Sequence, residues 1–271
     1  MQIPTLPKVA LSTTSVYPES TSSAFEVAGR LGFDGVELMV GIDATSADID
    51  AVEKLRDYHQ VPVLSIHAPC LIVTPHVWGT EPWGKLERSA DAAQRLGADV
   101  VVVHPPFRWQ ATYASGFVDG IRRLNAERDV KFAVENMYPW RTVAGSLPAY
   151  APSWDPTELD YDHLTLDLSH ASTARRQSMD YVHAWGDRLA HLHLTDGSGS
   201  FKDEHLLPGH GDQQAWDVVA ELARTGFDGH VVLEVNSRSA GSREDRERSL
   251  GESLTLTRSC LARGLELTSR R

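Results

Sequence analysis

The chain has 271 residues, room for one large single-core domain and in the range of an α/β barrel of about 250 residues. Its 37 acids against 26 bases give a net charge of −11 with no basic block or tail, which argues against a general nucleic-acid binder while leaving room for a local basic groove. No apolar run reaches membrane-spanning length, the start MQIPTLPKVALS lacks the pattern of a signal peptide, and Cys70 and Cys260 make no disulfide framework, so we expect a cytoplasmic protein with no membrane partner and one domain over residues 1–271.

Apolar runs of strand length lie at 8–16, 35–40, 61–68, 99–105, 130–136, 163–170, 189–196 and 229–235. Between them, stretches of helical period cover 21–31, 47–59, 83–96, 114–128, 178–185 and 213–225, with a last one over about 243–263. Short Val, Ile and Leu runs buried on both faces are what parallel strands wrapped by helices look like. Gly32, Gly97 and Gly226 each follow a helical pattern and precede a strand, as helix-ending glycines do. G-F-D-G recurs before the second and eighth strands, which hints at a repeating β/α unit. Eight units in a row predict an α/β fold of the closed (β/α)8 TIM-barrel type, with chemistry at the C-terminal ends of the parallel strands. The stretch 136–160, rich in Pro, Trp and Ser, reads as a long loop after strand five.

Six consecutive strands end in an ionisable side chain. They are L-S-I-His67, V-V-V-His104, F-A-V-Glu135, L-T-L-Asp167 with His170 three residues on, H-L-His193 and V-V-L-Glu234. A lone His or Glu at a strand end has structural explanations, and convergence at one barrel mouth changes the reading. Buried carboxylates and imidazoles crowded there are costly unless a cation offsets them, so a divalent metal is expected. The stretch 191–212, HLHLTDGSGSFKDEHLLPGHGD, adds Asp196, Asp203, His205, His210 and Asp212, again of the side-chain types that zinc or manganese accept.

Taken together, S-I-His67-A-P, V-His104-P, A-V-Glu135-N, L-Asp167-L-S-His170, His193-L-T-D, D-E-His205 followed by P-G-H-G, and L-Glu234-V resemble the xylose isomerase-like TIM-barrel superfamily. That group includes sugar isomerases and epimerases as well as DNA-repair enzymes of the endonuclease IV type. The resemblance implies, for the isomerase branch, one divalent ion on Glu135, Asp167, His193 and Glu234. For the endonuclease branch it implies three zinc ions on those four plus His67, His104, His170, Asp203 and His205. One to three ions of zinc, manganese or cobalt are therefore expected. The endonuclease branch carries a duplex-opening Tyr after the strand-three His, where this chain has Ala68-Pro69-Cys70-Leu71, and 41–46 has no base.

The resemblance favours a sugar or sugar-phosphate isomerase or epimerase, with Glu135 and Glu234 as the acid and base on either side of the substrate. A zinc phosphodiesterase acting on abasic DNA is the alternative. A non-catalytic, metal-dependent sugar-binding protein is the third. His170, Arg108, Trp109 and Lys202 are the expected substrate contacts, and Arg141 and Arg238 are further cations available to a phosphate or hydroxyl. Glu37 reads as the partner of a buried base, and His191 as a residue one layer beneath His193. Cys70 reads as pocket-lining. Phe107, Trp109, Tyr138, Trp140 and Trp154 form either a wall for a sugar ring or a small core under a long loop. The sequence sets no oligomeric state.

Overall fold

The structure, a computed structural model, describes residues 6–41, 43–69, 74–142 and 145–269. Eight parallel strands close into a barrel: β1 (Lys8–Ser12), β2 (Gly35–Met39), β3 (Val63–His67), β4 (Val100–Val103), β5 (Lys131–Glu135), β6 (Leu164–Asp167), β7 (Leu189–Leu194) and β8 (His230–Leu233). They follow one another around the ring in chain order, and β1 pairs with β8 to close it. This is the (β/α)8 fold that the alternating pattern predicts. Helices at Thr21–Leu31, Ile49–His59, Pro82–Leu96, Phe117–Glu127, Ser178–Trp185, Ala215–Thr225 and Arg243–Ser269 wrap the outside. None of them is long and apolar enough to cross a membrane.

The G-F-D-G repeat has two separate physical causes. Gly32 and Gly226 end their helices with φ of +82°, a left-handed conformation that costs glycine little. Gly35 and Gly229 instead sit where a neighbouring strand passes close by. A Cβ on Gly229 would meet the Ala190 carbonyl oxygen at 2.1 Å, and one on Gly35 would meet the Pro62 carbonyl oxygen at 2.6 Å.

Alternate strand residues face opposite ways. Val101, Val103, Phe132, Val134, Leu189, Val231 and Leu233 join the large core between barrel and helices. Their neighbours Val100, Val102, Ala133, Ala190 and Val232 form small clusters inside the barrel. Small apolar side chains therefore fill part of the barrel interior, beside a buried polar layer of Glu37, Ser65 and His191.

β1 and β6 fall furthest short of their expected ends. β1 stops at Ser12, whose hydroxyl accepts from the Thr14 amide and starts a 3-10 turn over Thr13–Val16. β6 stops at Asp167, whose carboxylate accepts from the His170 amide at 2.6 Å and caps a helix over Leu168–Thr173. His170 is thus on a helical first turn, not on the strand. The stretch after β5 is also less irregular than its composition implies: Trp140–Thr142 pairs antiparallel with Gly145–Leu147. Phe107, Met137, Ala149 and Tyr150 are buried together there, with Trp140 and Trp154 packed on them. The loop aromatics build a small satellite core.

Candidate metal centre

His193 is the hub of the barrel mouth. It sits between β6 and β8, in register with Asp167 on one side and Val232 on the other, two residues before Glu234. Its Nδ1 lies 2.9 Å from Glu234 Oε2, 3.1 Å from Glu135 Oε1 and 3.6 Å from Asp167 Oδ2. Two donor atoms bound about 2.0–2.2 Å from one ion at tetrahedral or octahedral angles are roughly 3.0–3.5 Å apart, so these spacings suit a shared cation. The donor atoms of Glu135, Asp167 and His193 all lie within 4.8 Å of one another, and all three residues are buried. Glu135 Oε2, Asp167 Oδ2 and Glu234 Oε2 are buried without an aligned hydrogen-bond partner. Such oxygens are costly in a protein interior unless a cation meets them. The donor set of one imidazole and three carboxylates fits zinc, manganese or cobalt.

Two further groups flank the hub. His104 Nε2 and His67 Nε2 approach Glu135 Oε2 at 2.8 and 3.4 Å, and these three residues also have donor atoms close enough to share an ion. On the other side, Asp203 Oδ2 lies 3.1 Å from both His170 Nε2 and His205 Nε2. All nine residues singled out in the sequence are therefore brought together at the mouth.

Two positioning residues escaped the sequence reading. Asn136, fully buried, accepts from the Asp167 amide at 2.7 Å and donates to the Asp167 carbonyl, while its own carbonyl takes His170 Nδ1 at 2.8 Å. Ser169 donates to Asp203 Oδ1 at 2.7 Å and accepts from the amides of Glu204 and His205. The only sequence signal for either was adjacency: Asn136 follows Glu135, and Ser169 lies between Asp167 and His170.

Glu37 lies one layer down. It accepts from His191 Nε2 at 2.8 Å and from the Ser65 hydroxyl at 2.7 Å, and its other oxygen is 3.0 Å from His193 Nε2. The Glu37 charge beside Nε2 favours a proton on that nitrogen, the tautomer that a metal bound at Nδ1, facing Glu135 and Glu234, would need. Glu37 and His191 are fully buried and so belong to the support beneath the hub.

A profile of the family described as xylose isomerase-like TIM barrel matches residues 25–260, most of the chain. The chain belongs to the xylose isomerase-like TIM-barrel family. An uncharacterised protein of Mycobacterium tuberculosis is 51% identical over 275 residues, covering 94% of this chain and 98% of that one. Among solved structures, 3-keto-D-glucoside 4-epimerase from Escherichia coli superposes with a TM-score of 0.66 at 18% identity, covering 92% of this chain and 99% of that one. An AP endonuclease, family 2, from Brucella melitensis gives 0.64 at 16% identity, with 92% and 99% covered. At these identities the likeness to both structures is one of fold.

In this xylose isomerase-like barrel, burial and charge oppose each other at Glu135, Asp203, His104, His170, His193 and His205. Burial pushes the Glu135 carboxyl up, but the charges of His193 and His104 more than reverse it and hold it well below the usual carboxylate range. Asp203, between His205 and His170, is held down in the same way. Burial pushes the His193 imidazole down, and the Glu234, Glu37 and Glu135 carboxylates more than reverse that. His170 is likewise raised well above the usual range, and His205 is raised to about 10, with Asp203 the first charge opposing burial. His104 differs, because burial wins there and its pKa is lowered. Without metal, the surrounding carboxylates therefore favour the protonated rings of His170, His193 and His205. A metal takes only the neutral ring, so binding must expel those protons and strengthens as pH rises. In a chelator competition at pH 6, 7 and 8, the zinc affinity should rise at least about tenfold per pH unit. A flat profile would contradict this charge pattern.

A cavity of about 390 Å³ opens over the nine residues, lined by His67, His104, Glu135, His170, Asp203, His205 and Glu234 together with Thr14, Tyr17, Met39 and Arg238. Of the expected substrate contacts only His170 lines it. Trp109 is 60% exposed and stacks on Phe107 at 4.6 Å, facing a neighbouring cavity of about 240 Å³ that shares His104. Arg108 is exposed, its amide tied to the Ala149 carbonyl. Lys202 is exposed with its ammonium 5.8 Å from the Phe201 ring. Asp196 accepts from the amides of Gly197, Gly209 and Gln213, and Asp212 accepts from Ser172, so both serve the fold of the loop after β7. His210 is exposed. Cys70 and Leu71 lie outside the described residues.

Proposed function

We propose that this protein is a divalent-metal-dependent sugar or sugar-phosphate isomerase or epimerase. The observation that supports this reading is the meeting of three buried carboxylates at His193 Nδ1, with Glu234 Oε2, Glu135 Oε1 and Asp167 Oδ2 at 2.9, 3.1 and 3.6 Å, the first and last of these oxygens lacking an aligned hydrogen-bond partner. Glu135, Asp167, His193 and Glu234 would hold the ion. Bound there, it would polarise neighbouring oxygens of a keto sugar and acidify the C–H between them. Glu135 and Glu234 stand on strands three apart around the ring and both reach the cavity, so one can remove that proton and the other return it. The charge of His193 opposes burial at both carboxyls and holds both below the usual carboxylate range, so either can act first as the base. Met39 and Val235 on the cavity wall limit water near the exchanging proton.

The two flanking groups, His67 and His104 on Glu135 and Asp203 between His170 and His205, support a second reading as a zinc phosphodiesterase. Against it stands charge. Gripping a duplex takes many cationic contacts to phosphate, and the cavity lining supplies one arginine and no lysine among the described residues. The net charge of −11 and the 68–71 loop without a tyrosine point the same way. A third reading, a sugar-binding protein without turnover, leaves two cavity carboxylates without a task.

The test is solvent exchange. Metal-loaded protein incubated in D2O with a panel of ketoses and ketose phosphates should introduce deuterium next to the carbonyl, seen by NMR, and should leave an abasic duplex intact. Nicking of the duplex without any exchange would select the phosphodiesterase. Neither activity across the panel would favour the binding protein.

A further inference from the structure

We propose that the substrate carries an anionic group, carboxylate or phosphate, and that Arg238 on the ring of Tyr17 is the residue that selects it. The inference deepens the sugar-isomerase reading and rests on it. Tyr17 belongs to the loop after β1 and Arg238 to the loop after β8, and closure of the barrel between those strands brings the two together. The guanidinium carbon lies 4.0 Å from the centroid of the Tyr17 ring. Both residues line the cavity over the candidate metal centre.

The neighbouring arginines among the described residues are already paired. Arg243 and Arg246 pair with Glu19, and Arg248 with Asp245. Arg238 makes no ion pair among the described residues, and its one hydrogen bond there is from its backbone amide to Asn236 Oδ1 at 3.2 Å. Stacking on an aromatic face fixes the plane of a guanidinium without consuming its N–H donors. What remains is a planar fork of donors, the geometry that matches carboxylate or phosphate two bonds at a time. The acids of the same wall cannot satisfy it. Glu234 turns to His193, and Glu204 is taken by the amide and hydroxyl of Ser198.

Position adds the selectivity. β8 and β1 lie across the ring from β4 and β5, so Arg238 meets the opposite end of a bound molecule from His104 and Glu135. A sugar whose carbonyl lies over the candidate metal ligands thus presents its far end to Arg238. In a protein of net charge −11, one unpaired arginine on the cavity wall also discriminates against anions that cannot reach it.

The experiment uses the zinc-loaded full chain and isothermal titration with three probes: D-fructose, D-fructose 6-phosphate and D-fructuronate. At least one of the two anionic probes should bind about ten- to a hundredfold more tightly than the neutral ketose. Which of the two gains more separates phosphate from carboxylate. Arg238→Ala should reduce that preference to about twofold or less. Arg238→Lys should keep part of it, because charge survives but the fork is lost, and Tyr17→Leu should weaken it by freeing the guanidinium. Because Arg238 is exposed, truncation leaves the core intact, and an unchanged melting temperature checks this. Equal affinity for all three probes, no binding by either acid, or a preference that survives Arg238→Ala would overturn the proposal. The isomerase reading fails separately: an Arg238-dependent preference without deuterium exchange leaves the anion site standing and removes the reaction.

Discussion

Glu135→Gln and Glu234→Gln, made separately, should each leave a folded barrel and lower turnover by about a thousandfold or more. The two glutamates touch His193 Nδ1 from different strands, Glu135 at 3.1 Å and Glu234 at 2.9 Å, so each substitution removes one candidate ligand to the central ion. An amide nearly preserves side-chain volume, so packing in the mouth is little disturbed. It cannot take a proton at neutral pH, however, and it is a poor ligand for a divalent cation. Glu135→Gln should do more, because Glu135 Oε2 also faces His104 and His67. The check combines circular dichroism, metal content and deuterium exchange on each variant. Near-native exchange in either variant would remove that residue from the machinery.

The second large effect is expected from a residue that touches no substrate. Glu37 is fully buried beneath the cavity, 3.0 Å from His193 Nε2, and also receives His191 and Ser65. Glu37→Gln keeps the volume but removes the negative charge and leaves one acceptor oxygen where two now face His193 on one side and His191 and Ser65 on the other. Metal affinity should drop about ten- to a hundredfold, as when carboxylates behind metal-bound histidines are lost. The distinguishing readout is the split between metal and turnover: at saturating zinc, exchange should recover most of its rate in Glu37→Gln and not in Glu135→Gln. An unchanged zinc affinity would leave Glu37 as a packing residue only.

Much of this arrangement was legible in the sequence, for a definite reason. Parallel barrel strands are short, apolar and buried on both faces, so a carboxylate or imidazole at the end of one stands out. Six such endings at one level pointed to His67, His104, Glu135, Asp167, His193 and Glu234, and the structure brings all six to one mouth. Loops have no such period. Lys202, Arg108 and Trp109 carry suitable chemistry, but nothing in a loop sequence tells which way a side chain turns, and none of these three lines the cavity. His170 was assigned to a strand because its neighbours are apolar, and the cap supplied by Asp167 overrode that pattern. The meeting of Tyr17 and Arg238 depends on barrel closure between the first and last strands, a contact that only the three-dimensional ring creates. Asn136 and Ser169 act through backbone groups, which leave no mark on spacing at all.

Glu135, Asp167, His193 and Glu234 are expected to share one divalent ion. A crystal of the zinc-loaded protein, with diffraction recorded on both sides of the zinc absorption edge, tests it most directly, alongside elemental analysis of the same preparation. An anomalous peak is expected within about 2.0–2.2 Å of His193 Nδ1 and of oxygens from all three carboxylates, with no more than two ions per chain. An empty hub, or zinc bound only at the His67–His104 and His170–Asp203–His205 groups, would contradict it.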